Sequence, residues 1–95
     1  METFSFDQLQ TAYVVEITPA LKQAVQSESA LAFPDNADTN FNVVRVISSG
    51  NSLFVEVMPD KDTGHERYIY QLDSHDKLVR VYALEDDQFV LHFSA

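Results

Sequence analysis

The residues whose types and spacing come nearest to chemistry lie in the run Pro59-Asp60-Lys61-Asp62-Thr63-Gly64-His65-Glu66. An Asp-Thr-Gly triplet can present a carboxylate for acid–base hydrolysis, and Asp60-x-Asp62-x-Gly64 offers oxygens at a cation-loop spacing. Hydrolysis by an aspartate pair requires a buried carboxylate and a second one that shares its proton. Here the triplet follows a polar, solvated stretch, and the chain holds no second copy of it. An EF-hand loop needs glycine sixth and an acid twelfth. Counted from Asp60, Gly64 is fifth and Gln71 is twelfth. The same residues suit a turn: Asp nucleates it, Thr bonds the backbone and Gly takes a positive φ.

Other chemistries have less support. His65 and His75 belong to loops at opposite ends of the expected sheet and His92 to its last strand, so they do not form a zinc set. Ser48, Ser49 and Ser52 surround a hairpin turn without a nucleophile elbow. Two glycines are too few for a phosphate loop or dinucleotide fingerprint, and the absence of cysteine removes thiol nucleophiles, thiolate metal sites and disulfides. Glu56 is the one carboxylate expected on a central strand, and Arg45 opposite neutralises it. No catalytic residue, metal or cofactor is expected, and an enzyme is not the reading these residues favour.

The composition bounds the rest. Ninety-five residues, 45% of them hydrophobic, suit one domain spanning 1–95 with a single core. Fifteen acids against six bases give a net charge of −9, which opposes binding to nucleic-acid backbones and anionic membranes. Tyr68, Tyr70 and Tyr82 alternate with Arg67 and Arg80 in a way that could stack bases, but the overall charge is against it. No apolar run reaches the ~20 residues of a membrane span, and METFSFDQ lacks the basic start of a signal peptide. A cytoplasmic protein is expected.

The expected fold is α+β. Residues 5–33 read as helical, 34–41 as a polar linker and 42–95 as a β-meander. Phe6, Leu9, Tyr13, Ile17, Leu21 and Ala24 recur at helical steps, while Thr18-Pro19 is a good cap and first-turn pair. This predicts one kinked helix or two short ones, near 6–17 and 19–30. A rival reading makes the β-branched stretch 13–17 a strand. Five antiparallel strands follow, near 42–48, 53–58, 66–72, 77–84 and 89–94. A Gly50-Asn51 loop sets Val46 opposite Val55, Arg45 opposite Glu56 and Val44 opposite Val57.

Alternation leaves both sheet faces apolar, and one or two helices cover only one of them well. Phe54, Met58, Tyr82, Leu84, Phe89, Leu91 and Phe93 are therefore candidate interface residues. Alternate turns share one end of a meander, which gathers Asp60, Asp62, Glu85, Asp86 and Asp87 into an acidic rim. The favoured function is a small acidic protein-binding or regulatory module that self-associates as a homodimer through this face and rim. The alternative is an acidic inhibitor that mimics nucleic acid and occupies a basic protein.

Overall fold

A computed structural model describes residues 2–95. The fold is α+β, with one helix packed on a seven-stranded antiparallel sheet. The strands are β1 (Thr3–Phe4), β2 (Tyr13–Val14), β3 (Phe41–Ser49), β4 (Ser52–Pro59), β5 (Tyr68–Leu72), β6 (Leu78–Glu85) and β7 (Gln88–Ser94), and the helix is α1 (Pro19–Ala32). The expected five-strand meander is β3 to β7. β1 and β2 add a short strand at each edge, giving the order β1-β7-β6-β5-β4-β3-β2.

The expected helix over 6–17 does not form. Only Phe6–Gln8 make a single 3₁₀ turn, and Tyr13–Val14 pair with Ile47 and Ser48. Reach explains the difference. β1 and β2 lie at opposite edges, six strand spacings of about 4.8 Å apart, and the eight residues 5–12, nine Cα steps, connect them. A nine-residue helix spans roughly 14 Å, whereas extended chain covers about 30 Å. The segment must therefore run extended across the sheet, and Phe6 and Leu9, which read as a helical stripe, become its anchors.

The helix that does form starts as its sequence dictates. The Thr18 hydroxyl accepts from the Leu21 N–H at 3.2 Å, and Pro19 occupies the first turn. It ends at Phe33, ahead of Pro34. Leu21, Val25 and Ser29 form its buried stripe. Two of its polar side chains tie it to strand beginnings. Gln26 donates to the Thr39 carbonyl and accepts from the Phe41 N–H, both at 2.9 Å, and Glu28 accepts from the Leu78 N–H at 2.8 Å.

Two cores result, one on each face. Under α1 lie Val46, Val55, Val57, Tyr68, Tyr70, Leu72, Val81 and Ala83. The Tyr70 hydroxyl meets Ser29 Oγ at 2.6 Å, and burial pushes its pKa far above the usual tyrosine range. On the second face Phe4 is buried against Phe54, Ile69 and Tyr82, with Phe6, Leu9, Phe89 and Leu91 around them.

The first hairpin keeps Val46 opposite Val55 and Arg45 opposite Glu56. A bulge between Val43 and Arg45 then corrects the pairing beyond. Val43, not Val44, faces Val57, and Val44 turns out to 40% exposure. A second irregularity comes after Gln71 and leaves Val79 out of the pairing. A third, where Val81 pairs with Phe93 and Tyr82 with Leu91, makes His92 the extra residue. It moves Phe93 to the helix-side core, away from the surface expected to include Tyr82, Leu84, Phe89 and Leu91.

Candidate interaction surface

All three arginines of the chain stand on the second face. Glu56, only 8% exposed, receives Arg45 Nε at 3.3 Å on one carboxylate oxygen and Arg67 on the other. The Arg45 guanidinium also lies 4.2 Å above the Phe6 ring, so the ion network helps hold the N-terminal crossing segment. Arg80 reaches Gln71 at 3.1 Å and Glu2 at 3.7 Å. Glu2 in turn accepts from the Tyr82 hydroxyl at 2.8 Å. Burial, then the Glu2 contact and charge, push the Tyr82 pKa up to about 12. Each arginine keeps more than a third of its side chain in water. Three positive charges against Glu56 and Glu2 make this face the cationic part of an acidic protein.

The acids lie at the end of the sheet. Asp60 accepts from the Asn40 backbone N–H at 2.9 Å and its side-chain amide at 3.0 Å, which staples the loop after β4. Asp62 accepts from the Gly64 N–H at 2.9 Å, forming the expected turn around a glycine at φ 102. Asp86 and Asp87 take positive φ in the tight loop between β6 and β7, a conformation that Asp tolerates better than most residues. Glu85 sits 3.5 Å from His65. Nearby, Lys61 pairs with Asp38 at 2.8 Å. An open hollow of about 500 Å³, bordered by Met58, Asp60, Asp62, His65 and Arg67, joins this acidic end to the arginine face. Because Asp62 works here only as a turn acceptor, Asp62→Asn is expected to change stability by less than about 0.5 kcal/mol in a denaturant titration.

The candidate apolar residues divide. Phe54 and Tyr82 are buried beneath Phe4, whose ring stacks on Phe54 at 4.9 Å and tilts toward Tyr82 at 5.4 Å. Leu84, Phe89 and Leu91 are half-buried on the same face, Met58 is exposed at 38%, and Phe93 belongs to the other face. The most exposed large apolar residues, Tyr13 and Val14, lie on the edge strand β2 instead.

The histidines correct the expected layout in one respect. His75 is remote, but His65 and His92 are neighbours, with ring centroids 5.8 Å apart. Among the described residues no group of three or more His, Asp or Glu side chains converges to hold a metal ion. No family model, curated protein or solved structure matches the chain. Among the described residues no helix is long and apolar enough to cross a membrane.

Taken singly along the sequence, the arginines give no hint of their convergence. The alternation of β3, β5 and β6 carries the signal: Arg45, Arg67 and Arg80 share parity with Glu56, Ile69 and Tyr82 rather than with the valines under the helix.

Proposed function

We propose that this chain is a small protein-binding module that self-associates through its second sheet face. The observation that carries this reading is the placement of every arginine on that face, beside an acidic strand end, in a chain of net charge −9. A two-fold interface requires a patch complementary to itself. Such a patch has a cationic part and an anionic part side by side, so that each copy offers its acids to the other's arginines. Arg80 stands on the second face about 20 Å along β6 from the tight loop of Asp86 and Asp87 that ends the strand. A two-fold axis lying between them, in the plane of contact, overlays one copy's rim on its partner's Arg80. The half-buried Phe6, Phe89 and Leu91 and the exposed Met58 supply apolar area between the charged parts.

The reading as an acidic inhibitor that mimics nucleic acid has less support. Its acids would have to follow one face, whereas Asp73 and Asp76 belong to the opposite end of the sheet from Asp86 and Asp87. Light scattering distinguishes the two. Charge-matched self-association predicts a dimer mass near 50 mM salt that falls toward the monomer near 0.5 M, as screening shortens the reach of each charge to a few Å. A monomer at both salt concentrations contradicts it.

A further inference from the structure

The N-terminal segment is joined to the sheet it covers through a strained residue. Residues 5–10 cross the strands, whereas β2 runs along them, and the chain bends at Gln10 and Thr11. Thr11 takes φ 53, in the left-handed region. The other non-glycine residues with positive φ among the described residues are all Asp, which tolerates it, but Thr is β-branched and crowds its own backbone there. The contacts that hold residues 2–10 come from strands later in the chain. Phe4 is buried against Phe54 and Tyr82, Phe6 lies under Arg45, and Leu9 packs beside them. The Leu91 N–H donates to the Glu2 carbonyl at 2.8 Å, and Ser49 Oγ donates to the Gln10 carbonyl at 2.7 Å. None of these contacts depends on which copy of the chain supplies the segment. Without it, Phe54, Ile69 and Tyr82 lose their cover, and an apolar groove of that kind is refilled by a matching segment.

We propose that residues 2–10 form an exchangeable strap, which pivots at Thr11 and occupies the same groove on a second copy of the chain. In the closed monomer the strap turns back over its own sheet, with strain held in Thr11. In the exchanged dimer Thr11 is extended, continues the line of β2 and carries the strap off its own sheet. Both hinges then lose their strain while the docking contacts are kept. A short tether holds the strap near its own groove at an effective concentration of about millimolar order. Exchange therefore requires the strap to be freed by unfolding and refolded among concentrated neighbours. It needs no arginine-to-acid contact between copies, so it stands or fails separately from the charge-matched docking. Salt that screens the repulsion between two chains of net charge −9 favours it.

Disulfide capture tests it, because the chain has no cysteine of its own. Thr3 pairs with Val90, and the Leu91-to-Glu2 bond makes theirs a non-hydrogen-bonded pair, with Cα atoms about 4.5 Å apart and within reach of a disulfide. A Thr3→Cys chain and a Val90→Cys chain are unfolded together in guanidinium, refolded at high concentration in about 0.5 M salt and then oxidised. Strap exchange predicts a share of mixed pairs among the linked dimers well above that from random collision. Thr11→Gly in both chains removes strain from the closed form and should lower the yield of mixed pairs about tenfold. Thr11→Pro cannot take a positive φ, so it disfavours the closed hinge and should raise that yield. A mixed share no higher than random, or the same yield from all three hinges, overturns the proposal. If a cysteine variant does not fold, the wild type decides. Refolded the same way, it should retain a dimer in about 0.5 M salt, where charge-matched docking has dissociated, and a monomer there overturns the exchange.

Discussion

Phe4→Ala is expected to destabilise the protein by about 3 kcal/mol, the lower part of the range for removing a buried phenylalanine. Phe4 is 4% exposed and is the centre of the second core, touching Phe54, Tyr82 and, edge-on at 5.1 Å, Phe6. Its backbone also belongs to β1, paired with Phe89 on β7. Removing the ring leaves a cavity beneath a two-residue strand that has little else to hold it, so Phe54 and Tyr82 gain water together. A domain of this size has roughly 5–14 kcal/mol of stability, so the loss is a large fraction of the total. A shift of more than about 12 °C in the melting midpoint should accompany it. Guanidinium unfolding of the two chains provides the check. A cost below about 1 kcal/mol would mean that the N-terminal segment is not docked on the sheet in solution, and the second core would have to be abandoned.

The second large effect concerns Glu56. Its carboxylate lies between Arg45 and Arg67 in the middle of the sheet. Burying it is favourable only while both guanidinium groups are present to replace lost water. Glu56→Ala leaves the two arginines facing each other without an anion. Because both are partly exposed they can turn to solvent, which places the expected cost near about 2 kcal/mol rather than the roughly 3–5 kcal/mol of a fully buried pair. The Arg45–Phe6 contact should loosen as well, since Glu56 orients that guanidinium. Denaturant unfolding gives the cost, and increased amide exchange over residues 5–9 would report the loosened segment. A cost under about 0.5 kcal/mol would show that the network contributes no more than an exposed ion pair.

The meander was legible because its evidence is local. Gly50-Asn51 fixes a two-residue loop, and counting outward from it reaches the Val46–Val55 and Arg45–Glu56 pairs. The start of α1 was legible for the same reason, in Thr18-Pro19. The bulges were not, because one extra residue leaves alternation intact on either side of it. Val44, Val79 and His92 look no different in sequence from residues in regular register. The N-terminal segment misled for a different reason. Phe6, Leu9, Tyr13 and Ile17 carry helical spacing, yet the chain must cross the whole sheet between β1 and β2. Coverage of Phe54, Ile69 and Tyr82 outweighs a weak local preference that Thr11, Val14 and Val15 already dilute. The pairing of His65 with His92 required both the β7 bulge and the loop that returns beside Glu85, so no local pattern contained it.

The most direct measurement is the mass of charge-exchanged variants, alone and mixed, near 50 mM salt. Arg80→Glu reverses a charge on the cationic part. Glu66 is exposed and borders the same hollow as Asp60 and Asp62, so Glu66→Lys with Asp86→Asn and Asp87→Asn reverses or removes charge at the acidic end, and asparagine preserves the positive φ of the tight loop. Self-association of arginine face to acidic end predicts that each variant alone is a monomer. It also predicts that the mixture forms a dimer. There the reversed charge at position 80 of one chain meets the reversed charge at position 66 of the other, while the two unaltered parts meet as before. Variants that dimerise alone as readily as the wild type, or a wild type that is itself monomeric, would contradict it.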